Sequence, residues 1–218
     1  MFTIKICGIT TSEDGLAVAR AGGDAIGLNF YPGSPRYVTL PQARAILEPL
    51  PPGVVKVGVF VDAEARAVCR TFDELGLDLV QLHGNESPPR LAELGARPAM
   101  KAFRLGSAGL GPVADYLREC RSLGCLPKLV LVDAQVPGAY GGTGQVADWA
   151  AASRYAAEVG GPPLVLAGGL RPDNVAAAIR ATGAIAVDTA SGVETRPGRK
   201  DPVALAAFVR AAREAFAR

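Results

Sequence analysis

Eight short apolar runs rich in β-branched residues recur along the chain, each followed by a glycine-rich or polar turn and then an alanine- or leucine-rich stretch. The runs are FTIKIC (2–7), AIGLNF (25–30), VVKVGVFV (54–61), LDLVQLH (77–83), RPAMKAF (97–103), KLVLVD (128–133), PLVLAG (163–168) and AIAVDT (184–189). Helical patterns such as DAEARAVCRTFDELG, VADYLRECRSLG and QVADWAAASRYAAEVG separate them, and PVALAAFVRAAREAFAR follows the last. Strand-length runs alternating with helices of this length make βαβ units and a parallel sheet. Eight such units in 218 residues predict an α/β fold of the (β/α)8 TIM barrel type. The rival, a doubly wound sheet, calls for a G-x-G-x-x-G turn after the first strand. Cys7-Gly8-Ile9-Thr10 stands there instead. No Gly/Ser or Pro run divides the chain, so residues 1–218 read as a single domain.

A hydrophobic content of 49% excludes disorder. The net charge is +2 with scattered Lys and Arg, which leaves no electrostatic footprint for nucleic acid or an anionic membrane. Every apolar run is shorter than a membrane span. The chain opens on a strand-like segment instead of a basic and then apolar leader, and its four cysteines lack disulfide-scaffold spacing. A soluble cytoplasmic protein is expected. His83 is the only histidine, and Cys120 and Cys125 are not at C-x-x-C spacing, so zinc has almost no ligands to use. Gly-x-Ser-x-Gly is absent as well. The chemistry must come from carboxylates, thiols and bound anions, with no metal and no cofactor expected.

Strand alternation assigns faces. Phe2, Ile4 and Ile6 are expected to pack on the surrounding helices, with Thr3, Lys5 and Cys7 pointing into the barrel. Cys7 then stands at the C-terminal rim, where barrel enzymes place their chemistry. Asp133, Asn29, His83 and Asp188 likewise sit at strand ends.

A thiol at a strand tip, followed by Gly8, suits an acid or base, although free cysteine is often a small buried hydrophobe. Lys5 on the same face would stabilise the thiolate and lower the thiol pKa, or pair with a carboxylate inside the barrel. Asp133 follows four apolar residues. Partial desolvation there favours the protonated acid and suits general-acid work. The competing role is a loop cap or a partner for Lys5 or Lys101. Glycine-rich turns at 141–144, 168–169 and 191–192 let backbone N–H groups converge on an anion, with a short helix from Ser191 adding its positive end. Loops seven and eight of a barrel often build such a phosphate site. Arg36, in the loop after the second strand, suits a substrate carboxylate or a solvated loop position. Trp149, Cys69, Cys120 and Cys125 read as structural. Val59-Phe60-Val61 suits either a homodimer interface or the barrel core.

The segments KICGIT (5–10), FYPGSPRYV (30–38), VQLHGNE (80–86), LVDA (131–134), GGTG (141–144), LAGGL (166–170) and DTASGVE (188–194) together resemble the phosphoribosylanthranilate isomerase family of tryptophan biosynthesis. The resemblance implies an isomerase carrying out an Amadori rearrangement of N-(5-phosphoribosyl)anthranilate to 1-(2-carboxyphenylamino)-1-deoxyribulose 5-phosphate. It implies Asp133 as general acid and Cys7 as general base, with Arg36 holding the anthranilate carboxylate. Lys5, His83 and Asp188 are then substrate-facing. Gly142, Thr143, Gly144, Gly168, Gly169, Ala190, Ser191 and Gly192 correspond to the phosphate site, although Ala190 stands where the family often has serine. The alternatives are a non-catalytic phosphate-ligand-binding barrel, or another sugar-phosphate barrel such as a ribonucleotide isomerase or indole-glycerol-phosphate synthase. The first could dispense with Cys7 and Asp133; the others call for paired aspartates in duplicated halves, or for a lysine acid with a glutamate.

Overall fold

In the structure, a computed structural model that describes residues 1–106, 108–134 and 148–217, eight parallel strands close into a barrel in sequential order. They are β1 (Ile4–Cys7), β2 (Ala25–Asn29), β3 (Val55–Phe60), β4 (Leu79–Leu82), β5 (Ala99–Leu105), β6 (Leu129–Ala134), β7 (Leu164–Leu166) and β8 (Ala186–Thr189). Closure comes from β1 against β8, with Lys5 opposite Asp188. The outer layer includes α1 (Ser12–Ala21), α2 (Leu40–Leu47), α3 (Ala65–Leu75), α4 (Pro88–Ala92), α5 (Gly111–Ser122), α6 (Trp149–Ser153), α7 (Tyr155–Glu158), α8 (Val175–Thr182) and α9 (Pro202–Phe216). The predicted (β/α)8 architecture is the observed one. No helix of the described residues is long and apolar enough to cross a membrane.

Local chemistry starts and stops these helices. Thr11 caps α1 by accepting from the Asp14 amide, and Gly22 ends it in the left-handed region. Thr39 and Gln42 form a capping box on α2. The Asp201 carboxylate accepts from the amides of Val203 and Ala204 at the start of α9, with Pro202 in the first turn. The helix expected through 145–160 divides in its described part into α6 and α7 at Arg154. There Ser153 Oγ and Arg154 Nη1 both donate to the Ala150 carbonyl, competing with the helix's own ladder.

Ile4 and Ile6 pack outward among Val18, Phe208 and Val209, as alternation predicts. The alternation does not reach the start of the run. Phe2 joins Leu79, Met100, Leu129 and Val165 in the lower barrel interior, and Thr3 turns away to donate through both N and Oγ1 to Asp24. Both reverse the expected faces because the β1 ladder begins only at Ile4. Val59 and Phe60 are buried, with Phe60 stacked on Phe30 at 5.2 Å. Val59 and Phe60 thus belong to the core, and Val61 is half-buried. A cavity of ≈ 650 Å³ beside Phe2, Leu50, Val55 and Leu129 opens at the N-terminal end, away from the rim that carries polar side chains.

Candidate active site

The barrel interior changes character along its axis. Below are the apolar side chains of the inner cluster; toward the C-terminal mouth the same inward positions carry Lys5, Cys7, Gln81, Asp133 and Asp188. Lys5 is fully buried and its Nζ donates to Asp188 Oδ1 at 2.9 Å. The carboxylate-paired reading of Lys5 is therefore observed. Gly27 of β2 faces this pair: a Cβ there would stand 2.8 Å from Cys7 Sγ and 3.1 Å from Lys5 Nζ. The thiol and the ammonium occupy the space a side chain would fill, and a glycine inside a strand marks this kind of close approach.

Lys5 does not leave the thiol acidic, as the sequence reading expected. Burial pushes the Cys7 thiol up; Lys5 pulls it down, Asp188 pushes it up again and Lys200 opposes, with burial prevailing. Burial also works against the Lys5 ammonium, yet the Asp188 carboxylate and the nearby thiol hold its pKa above the usual range. The Asp188 carboxylate offsets part of the ammonium's pull on Cys7, and burial outweighs what remains.

On the far arc of the mouth, His83 follows β4 and Asp133 lies in β6. His83 Nε2 is 3.2 Å from Asp133 Oδ2, and both side chains are nearly buried. The contact is short but not aligned as a full hydrogen bond. Gln81 Nε2 lies 2.8 Å from His83 Nδ1. The lysines considered as partners of Asp133 are engaged elsewhere, Lys5 with Asp188 and Lys101 with Glu86 at 2.8 Å. Lys101 lies outside the barrel, its ammonium close to the rings of Phe103 and Tyr116. The β5 ladder runs two residues beyond the predicted end, which brings Arg104 opposite Asp133 in register, with Nη2 donating to Asn85 Oδ1.

Arg36 is carried to the mouth by a short, tied loop. Asn29 at the end of β2 donates through Nδ2 to Ser34 Oγ and accepts from the Tyr31 amide, and the Arg36 amide donates to the same Ser34 Oγ. The guanidinium lies against Gly8, where a Cβ would come within 2.3 Å of Arg36 Cδ. Arg36 is not a solvated loop arginine. It is buried and grips Glu194 through Nε and Nη2, the latter at 2.6 Å. Lys200 completes the cluster by donating to Glu194 Oε1, the Cys7 carbonyl and the Ala190 carbonyl. Burial opposes ionisation of Glu194, but Arg36 and Lys200 hold its carboxyl below the usual range. Burial takes Lys200 below the usual amine range despite Glu194. One carboxylate thus ties the Arg36 loop, the Cys7 strand tip and the turn after β8 together. Glu194 and Lys200 lie in a small hairpin, β9 (Glu194–Arg196) and β10 (Arg199–Lys200), that no alternation signal announced.

Gly168 and Gly169 follow β7 with φ of 86° and 62°, conformations that favour glycine. Among the described residues, the amides of Gly168 and Gly169 donate to no backbone carbonyl. The two turns touch: Thr189 Oγ1 donates to the Leu170 carbonyl, and a Cβ on Gly192 would stand 1.8 Å from that oxygen. The expected short helix is a single 3₁₀ turn, Ser191–Val193. It is too short for a helix dipole. Ala190 supplies a carbonyl to Lys200 and no hydroxyl. Gly142, Thr143 and Gly144 lie outside the described residues, as does the loop 135–140. Trp149 packs against the outer core as expected, and Cys69, Cys120 and Cys125 lie on or beside helices with free thiols.

The mouth therefore presents a thiol beside an ammonium and carboxylate, a carboxyl beside an imidazole, and a glycine turn with unused amides. Such a set can bind a phosphate ester and move protons on and off carbon and oxygen. Comparison with known proteins places this geometry. Residues 4–211 match the family model described as N-(5'phosphoribosyl)anthranilate (PRA) isomerase. The chain is 48% identical over 203 residues to N-(5'-phosphoribosyl)anthranilate isomerase of Citrifermentans bemidjiense, covering 93% of this chain and 92% of that one. The crystal structure of the Thermus thermophilus phosphoribosyl anthranilate isomerase superposes with a TM-score of 0.84 at 36% identity, covering 97% of this chain and 98% of that one. A phosphoribosyl anthranilate isomerase in complex with reduced 1-(o-carboxyphenylamino)-1-deoxyribulose 5-phosphate gives a TM-score of 0.81 at 33% identity, over 98% of this chain and 100% of that one. With a family model spanning residues 4–211, and relatives and solved structures covered over nearly their full length, the chain belongs to the N-(5'-phosphoribosyl)anthranilate isomerase family.

Proposed function

We propose that Asp133 and Cys7 are the acid and base with which this isomerase of tryptophan biosynthesis rearranges N-(5'-phosphoribosyl)anthranilate. The observation that carries the assignment is their placement. Both occupy inward-facing positions at one barrel mouth, on strands separated by β7 and β8. The amides after β7 and β8 hold the phosphate, and the guanidinium of Arg36, its orientation fixed by Glu194, meets the anthranilate carboxylate.

Protonated Asp133 gives its proton to the ribose ring oxygen as the C1–O bond breaks, leaving a hydroxyl and a C1=N iminium. The iminium makes the C2 hydrogen acidic. The Cys7 thiolate removes it, and the electron pair moves through C1=C2 onto nitrogen to give the enolamine. Loss of the C2 hydroxyl proton and protonation at C1 yield the ketone, and a proton returning from Cys7 to Asp133 through solvent closes the cycle. The thiolate is scarce in the free protein because burial pushes the thiol up. The cationic iminium formed beside it favours the thiolate at the step that needs it. Lys5 and Asp188 line the same side, one holding the thiolate and the other the cationic intermediate. The protein works in the cytoplasm on a small sugar phosphate.

The test is conversion of phosphoribosylanthranilate by purified Cys7→Ala and Asp133→Ala variants, with binding of a reduced product analogue measured beside it. Each variant should lose at least about 10²-fold in kcat while analogue binding survives. Turnover near wild type in either variant removes that residue's role.

A further inference from the structure

Gln81 is the one fully buried side-chain amide in the interior of the described barrel, inward-facing on β4 directly below His83. Its Oε1 has no partner among the described residues, while its Nε2 lies 2.8 Å from His83 Nδ1. An unmatched buried acceptor is costly. Branched aliphatic side chains dominate the interior layers of such barrels, so a buried amide departs from the usual filling. The neighbouring positions confirm how apolar the surroundings are: Val59 and Met100 stand opposite Gln81 in the two adjoining ladders.

We propose that Gln81 is a positioning residue that sets the tautomer of His83. The proposal rests on the reading of Asp133 as the acid. A carboxamide NH2 can only donate, so Nδ1 must present its lone pair to it and the neutral ring carries its single proton on Nε2. That proton faces Asp133 Oδ2, 3.2 Å away. In this amide orientation an imidazolium would set an Nδ1–H against the NH2, two donors face to face. Once Asp133 has protonated the substrate ring oxygen, the carboxylate it leaves meets an N–H already in place. Contacts of this type tighten when substrate docks, which accommodates the unaligned geometry.

Because His83 is the chain's only histidine, long-range ¹H–¹⁵N correlation spectra of uniformly labelled protein report its tautomer without assignment. At pH 7.5 the wild type should show a neutral ring protonated on Nε2. Gln81→Met should give a mixture of the two neutral tautomers. Gln81→Glu, which can accept a proton from Nδ1, should move the ring to the Nδ1–H or imidazolium form. Each variant should lower kcat by about tenfold with KM within about twofold, the signature of a lost transition-state contact. An Nδ1–H tautomer or an imidazolium in the wild type overturns the proposal, as does Gln81→Met keeping both the wild-type spectrum and kcat. If one variant fails to fold, the wild-type spectrum can still overturn the proposal and the other variant still tests the role of Gln81. Full activity in Asp133→Asn would instead remove the acid assignment while leaving the tautomer result standing, so the two failures are distinguishable.

Discussion

Replacing Asp188 with asparagine tests the Lys5–Asp188 pair as both a structural and a chemical element. Lys5 is fully buried, its ammonium is 2.9 Å from Asp188 Oδ1, and its other ionisable neighbour is the Cys7 thiol. Removing one partner of a buried ion pair costs about 3–5 kcal/mol because the remaining charge has lost its compensation. The asparagine oxygen still accepts one hydrogen bond, which places Asp188→Asn near about 3 kcal/mol. That is a large share of the roughly 5–15 kcal/mol that stabilises a domain. Urea unfolding at pH 7.5 should show it as a lower midpoint at unchanged slope. Lys5→Met with Asp188→Leu removes both charges and should recover most of the loss, since apolar replacement of a buried pair is often neutral. The same substitution acts on the thiol. Asp188 pushes Cys7 up and offsets part of the pull of Lys5, so its removal leaves the thiol beside an uncompensated ammonium. Alkylation of Cys7 by iodoacetamide, followed by mass spectrometry of its peptide, should quicken by about tenfold in Asp188→Asn. It should slow in Lys5→Met. A stability change under about 1 kcal/mol, or a double variant no better than the sum of the singles, refutes the energetic reasoning. An unchanged alkylation rate refutes the electrostatic link to Cys7.

The elevated thiol predicts that alkylation of Cys7 by iodoacetamide quickens by about tenfold per pH unit from pH 7 to 9, because only the thiolate reacts; a rate that levels off within that range refutes this. Arg36→Ala should raise KM by about 10- to 100-fold, the loss of a charged hydrogen bond, and an unchanged KM removes the carboxylate contact. Gly192→Ala forces a methyl to within 1.8 Å of the Leu170 carbonyl, so the turns after β7 and β8 must part. It should lower stability by about 1–3 kcal/mol and raise KM; a variant with wild-type unfolding and KM contradicts that packing.

Local signals were enough for the architecture. Each βα unit carries its own apolar run, turn and amphipathic helix, so eight units announced a closed barrel without any long-range information. Period-two alternation placed Lys5 and Cys7 on inward positions, because a strand's pleat is a property of consecutive residues, and the apolar runs put Asp133 and Asp188 at strand ends. The same rule failed at Phe2 and Thr3, where the chain lies outside the ladder and Asp24 dictates its course. One helix was read as continuous where side chains at Ser153 and Arg154 break it.

Tertiary structure decided how the rim residues are paired and charged. Arg36 and Glu194 stand 158 residues apart, and Lys200 reaches the Cys7 carbonyl across 193 residues; no local pattern links them. Gly27 looked like an ordinary strand residue until Cys7 and Lys5 were seen to fill its side-chain space. Gln81 and His83 lay in one apolar run, but only barrel closure brings Asp133 to the imidazole. The sequence thus determined which chemical groups reach the mouth, through short-range periodicity. Their protonation states and orientations depend on burial and on charges from distant strands, and those exist only once the barrel has closed.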